Sequence, residues 1–270
     1  MNWFKEIWNW FLDLIGQGGP KFDKFADPNS PFMGYGLVNN WFKQNPKKYM
    51  NKLVESEVEC MAFEFFEWAK PENFEKVDAL LKKFEEYLEL AAKKKVLLYV
   101  TILNSNKGSG KYGDDRVPSS RYNDQLTKVA NKMAGWMNNH SNLFVTPCGE
   151  GGAQGNWDRK LQEYCKAIMP RTQMVNNWGS RPNSTDGMAY LAQHPSSTTA
   201  KVKPWVVSDH STIISQLNGG GGLYGTCNYD ITMRYAKGLK STNKQFIYYH
   251  FNPNGSIDDE ALRALKDAKK

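Results

Sequence analysis

The stretch "VLLYVTIL", Val96 to Leu103, decides the fold. It is apolar almost throughout, as strands of a parallel sheet are when both faces are covered. Just before it, "PENFEKVDALLKKFEEYLELAAKKK" (71–95) repeats apolar residues three and four positions apart, the period of an amphipathic helix. A polar, glycine-containing stretch follows at 104–120, long enough to lie over a functional site. Then comes a second helix pattern, "NDQLTKVANKMAGWMNNH" (123–140), and a second apolar run, "LFVTPCGE" (143–150).

The alternation continues in both directions. Upstream, "FMGYGLVNNW" (32–41) and "VECMAFEFF" (58–66) read as strands, separated by a helix over 45–57 with Pro46 in its first turn. Downstream, "DRKLQEYCKAIMP" (158–170) reads as a helix, and "QMVNNW" (173–178) and "GMAYLAQH" (187–194) as strands five and six. "PWVVSDH" (204–210) is expected as strand seven, and 211–229, with four consecutive glycines, as loop. A helix at 230–240, a strand "QFIYYHF" (245–251) and a helix at 256–270, with Ser256 at its cap and acids in its first turn, complete the chain. Eight strands separated mostly by helices or loops predict an α/β fold, a single (β/α)8 TIM barrel spanning 20–270, and 270 residues suit it. The competing doubly wound open sheet lacks a G-x-G-x-x-G after its first strand. No internal repeat is present.

Ahead of the barrel, Trp3, Phe4, Ile7, Trp8, Phe11, Leu14 and Ile15 recur at helical spacing, and Gly16, Gly18 and Gly19 end the pattern. Residues 1–19 are therefore expected to form an extra amphipathic helix. Its favoured role is a lid across one barrel end. The alternative is contact with a membrane surface or a partner protein through residues 3–15. Glu6, Asn9 and Asp13 interrupt the apolar run and no small-residue cleavage site follows, so it does not read as a signal peptide.

Net charge is +7, from 35 Lys and Arg against 28 Asp and Glu. The lysines are spread along helix patterns, no arginine-rich stripe appears, and a nucleic-acid partner is not expected. The four cysteines, Cys60, Cys148, Cys165 and Cys227, form no C-x-x-C pair and no zinc spacing; Cys60 and Cys148 sit in apolar, strand-like runs, so buried free thiols are expected rather than a disulfide framework. Nine Trp, 13 Tyr and 14 Phe serve a large core or a cleft lined with flat faces.

Barrel active sites lie at the C-terminal ends of the strands, so the polar residue ending each apolar run is a candidate. These are Asn39, Glu64, Asn104, Glu150, Asn177 with Trp178, His194, Asp209 with His210, and Tyr249 with His250. Three of the four His fall among them.

The order of these blocks resembles the clan A glycoside hydrolases, family 5 cellulase-like enzymes in particular. "KKYMNKLVESEVECMAFEFFEW" resembles their helix and second strand, "MAGWMNNHSNLFVTPCGEGG" the segment that ends in their acid/base, and "KPWVVSDHS" the segment that carries their nucleophile. The resemblance covers about residues 31–252. It implies cleavage of O-glycosidic bonds in a poly- or oligosaccharide, with Glu150 as general acid/base and Asp209 as nucleophile. His194, His210, Asn104, Asn177, Trp178, Tyr249, His250, Asn39 and Glu64 would contact the carbohydrate, and no metal or cofactor is implied. Two carboxyls suffice because one protonates the leaving oxygen while the other attacks the anomeric carbon or activates water. This sequence departs from the pattern in three places. Gly149 stands where the family has Asn, Asp209 is one methylene shorter than the usual Glu, and Glu64 and Glu67 occupy the second strand where an Arg is usual. A non-catalytic carbohydrate-binding barrel is the alternative these departures motivate. A metal-dependent hydrolase using His194, Asp209, His210 and His250 is the third reading.

Overall fold

The computed structural model describes residues 32–37, 41–66, 74–104, 120–149, 175–177, 190–193, 213–219, 245–250 and 257–270, with helical positions between 161 and 168 and between 229 and 237, and Met169. The expected helix at 1–19 lies outside them. Eight parallel strands close into a barrel in sequence order. They are β1 (Phe32–Leu37), β2 (Cys60–Phe66), β3 (Leu97–Asn104), β4 (Leu143–Gly149), β5 (Val175–Asn177), β6 (Tyr190–Gln193), β7 (Ile213–Gly219) and β8 (Gln245–His250). Four helices are named here: α1 (Pro46–Glu55), α2 (Val77–Lys94), α3 (Ser120–Asn139) and α4 (Asp259–Asp267). None of the described helices is long and apolar enough to cross a membrane.

Local chemistry accounts for the helices. The Asn45 side chain accepts the Lys48 amide at 3.0 Å, and Pro46 opens the first turn of α1. α1 buries Tyr49, Met50 and Leu53. α2 buries Val77, Leu80, Leu81, Phe84, Tyr87, Leu88 and Ala91, one stripe at helical period. In α4 the cap is Asp258, whose carboxylate accepts the Ala261 amide at 2.9 Å, while Asp259 and Glu260 fill the acidic first turn. Asp258 thus takes the capping place expected for Ser256.

The core lies between these helices and the outer face of the sheet. Phe63 and Phe65 project into it, with ring centroids 5.3 and 5.7 Å from Trp41 and 5.7 and 6.1 Å from Phe84. A strand's side chains alternate, so Cys60, Ala62 and Glu64 face the lumen. In register with them, Leu97, Tyr99 and Thr101 of β3 also face inward. Phe144 of β4 pairs with Tyr99 and shares that face. Gly34 and Gly36 of β1 pair with Cys60 and Ala62, so two small-residue strands stand beside two that carry aromatic rings into the lumen.

Strand seven corrects the sequence reading. It is Ile213–Gly219, within the stretch expected as loop, and 204–210 lies outside the described residues. The reason is connection length. A strand starting at 204 would leave ten residues, 194–203, after β6; a strand starting at 213 leaves nineteen, 194–212. Parallel neighbours need a crossover of about a dozen residues or more. The run Ser215–Gly219 pairs with Phe246–His250 of β8, and Phe32–Leu37 pairs with Gln245–His250, which closes the barrel.

Candidate active site

The C-terminal ends of the eight strands form the mouth of the barrel. Glu64, two residues before the end of β2, is 4% exposed and is the only buried charged side chain among the described residues. The Trp41 indole N–H donates to its main-chain carbonyl at 3.0 Å, and Trp41 is itself held by the Tyr87 hydroxyl, which donates to the Trp41 carbonyl at 3.2 Å. The 3-10 turn Trp41–Lys43, straight after the first strand region, thus anchors β2 against α2 at the level of Glu64. Thr101 pairs with Glu64 in register and is fully buried, and its hydroxyl oxygen has no hydrogen-bond partner. Thr146 of β4 continues this row.

The other sequence candidates divide into two groups. Asn104, Asn177, Tyr249 and His250 are placed on strands by their backbone. Asn104 ends β3 and pairs with Gly149, and Gly149 pairs with Asn177 at the end of β5. Tyr249 pairs with Gly36 and Asn218, and His250 ends β8. Asn39, Glu150, Trp178, His194, Asp209 and His210 lie outside the described residues. Glu150 directly follows Gly149, the last residue of β4. Asp209 comes four residues ahead of β7 in the chain, so it does not end that strand as expected. The residue that sequence reasoning missed is Thr101. It was hidden in "VLLYVTIL", where apolar residues on both faces mask the alternation that would have singled out its hydroxyl.

Among the described residues, no group of three or more His, Cys, Asp or Glu is placed to hold a metal ion. A cavity of about 600 Å³ lies away from the strand ends, between the start of α1 and the outer face of α2, where Lys82, Lys83, Glu85, Glu86 and Glu89 line it. Its mixed, solvated charges offer no converging chemistry. Cys60 is a buried free thiol, as expected; Cys165 is another, and burial pushes its thiol up to about 12.

No protein-family model matches the sequence, and no curated protein matches it. Solved structures do. A β-glucanase from Saccharophagus degradans, in complex with cellotetraose, is similar with a TM-score of 0.58 at 15% identity over 88% of this chain and 87% of that one. A family 5 lichenase from Caldicellulosiruptor matches with a TM-score of 0.57 at 8% identity, over 93% and 96% of the two chains. A family 5 glycoside hydrolase from Bacteroides vulgatus matches with a TM-score of 0.57 at 9% identity over 84% of this chain, which spans 60% of that enzyme's length. The chain has the barrel fold of the clan A, family 5 glycoside hydrolases, carried by a divergent sequence.

Proposed function

We propose that this protein is a glycoside hydrolase that cleaves O-glycosidic bonds of a poly- or oligosaccharide. Glu150 protonates the departing oxygen, and a second carboxylate, the role the resemblance gives to Asp209, serves the attacking side. The observation that carries the reading is the closed parallel barrel whose fourth strand ends at Gly149, one residue before Glu150. Active sites of such barrels gather at that mouth. Hydrolysis by a carboxyl pair needs no metal and no cofactor. The β-glucanase neighbour binds cellotetraose, which supports a carbohydrate in the cleft here. The remaining candidates, with Trp178 and Tyr249 as stacking faces and His194, His210 and His250 as hydroxyl partners, surround the sugar in this reading.

The test is release of reducing ends from a panel of β-glucans, xylans and mannans. Wild type is expected to release them, and Glu150→Gln to be slower by roughly 10²–10⁴-fold, the usual weight of a general acid. A Glu150→Gln protein with the wild-type rate removes Glu150 from the chemistry.

A second reading, a carbohydrate-binding barrel without catalysis, is favoured by one observation: Ile213–Gly219, the whole of β7, contains no acid. It predicts glycan binding by calorimetry with no reducing ends released.

A further inference from the structure

We infer that the barrel lumen contains an enclosed solvent site on Thr101, which binds one water molecule and joins the Thr101 hydroxyl to the Glu64 carboxylate. The inference concerns the interior of the barrel between β2 and β3. It stands whether or not the chain cleaves glycosides.

The observations meet at one level of the lumen. Thr101 is fully buried, and its hydroxyl oxygen has no hydrogen-bond partner. Glu64 is in register with it on the neighbouring strand and is 4% exposed. Both point inward, because Phe63 and Phe65, on either side of Glu64, pack outward against Trp41 and Phe84. The two side chains therefore stand next to one another on one face without a direct hydrogen bond from the hydroxyl. Two residues on, Phe66 pairs with Leu103, and both are apolar and buried, so bulk solvent does not reach this level. On the other side of Glu64 the lumen wall is made of small residues. Ala62 precedes Glu64 on the inward face, Gly36 pairs with Ala62, and Gly34 pairs with Cys60.

A buried hydroxyl that makes no hydrogen bond costs its full desolvation, and folded proteins leave few such groups. An apolar void stays dry, whereas a small space with polar groups around it takes a water that bonds to two or more of them. Both conditions are met beside Thr101. The donor inventory sets the direction of the bonds. An ionised carboxylate only accepts, so the water donates to Glu64, and the Thr101 hydroxyl donates to the water oxygen. The water has a second hydrogen to give, and Thr146 is the next position along the same row, on β4. Such a bridge is nearly as favourable as a direct hydrogen bond. It ties β2 to β3 through their inward side chains.

The test is a high-resolution crystal structure of the full chain, with Thr101→Val and Thr101→Ser beside wild type. Wild type is expected to show an ordered water within about 3.2 Å of both the Thr101 hydroxyl and a Glu64 carboxyl oxygen. Thr101→Ser keeps the hydroxyl and is expected to keep the water. Thr101→Val keeps the shape and is expected to lose it. Urea unfolding reads the same question through energy. Where the hydroxyl is bonded to water, Val removes that bond, and the folding equilibrium constant is expected to fall roughly 5–10-fold. Where the hydroxyl is stranded, Val removes a buried polar group for nothing, and the protein becomes more stable. A wild-type structure without that water, or with the hydroxyl bonded to a protein atom, overturns the inference. So does a Thr101→Val protein at least as stable as wild type. If Thr101→Val does not fold, the other two structures decide: the water present in both supports the site, and its absence from either overturns it.

Discussion

Buried hydroxyls and thiols in the helix–sheet layer give this protein a pH response of known sign. Burial pushes the Cys165 thiol from an ordinary 9.0 up to about 12. Burial likewise raises the hydroxyls of Tyr35, Tyr49 and Tyr87 above their ordinary 10.0. In each case the folded state holds its proton more tightly than the unfolded chain does. The stability this confers is complete below the unfolded values, near 9 and 10, and is lost as pH rises towards the folded ones. The urea midpoint is therefore expected to fall between pH 8 and pH 11, and Cys165 to resist alkylation at pH 8 until the chain unfolds. A midpoint that does not move over that range contradicts this burial. At the same scale, Glu64 was legible in the sequence as an acid within an apolar run. Thr101 was not, because a hydroxyl in a strand covered on both faces carries no sign of which face it takes.

Among the elements, two helices end on left-handed residues that are not glycine. Lys95, at φ 58°, follows α2, and Glu57, at φ 58°, lies two residues past α1. A side chain in that region costs about 1 kcal/mol or more. Lys95→Gly is expected to stabilise the protein by about 1 kcal/mol in urea unfolding. Glu57→Gly is expected to be closer to neutral, because Glu57 also pairs with Lys266 at 3.2 Å, an exposed contact worth up to about 1 kcal/mol that is lost with it. Asp258 joins three elements. It caps α4, its carboxylate accepts the Tyr248 hydroxyl of β8 at 2.9 Å, and its amide donates to the Tyr35 hydroxyl of β1 at 2.8 Å. Asp258→Ala removes the cap and the carboxylate that accepts the Tyr248 hydroxyl, so a loss of about 2 kcal/mol is expected from thermal or urea unfolding. The first four strands and the helices between them were legible because long apolar runs and long periodic helices repeat in strict alternation there. β7 was misread because "WVV" is a stronger local strand signal than "IISQLNG" (213–219). What decides between them is the length of the crossover after β6, a property of the connection and not of either stretch.

For the whole molecule, closure of the ring is the structural fact on which function depends. β1 meets β8 along Phe32–Leu37, and the contacts of Tyr35, Tyr248 and Asp258 fasten that seam from outside. A closed ring fixes the strand ends relative to one another, which an open sheet edge would not do, and a site assembled from several strand ends needs that rigidity. The barrel was legible from the alternation of elements. The site was legible only in part, because a role at a strand end depends on knowing where the strand ends, and β7 begins after Asp209 in the chain. The most direct test of the account is a crystal structure of the Glu150→Gln protein soaked with cellotetraose. The account predicts a sugar chain across the C-terminal ends of the strands, with residue 150 within hydrogen-bonding distance of a glycosidic oxygen. Residue 150 turned into apolar packing, or a sugar bound away from that mouth, would contradict it.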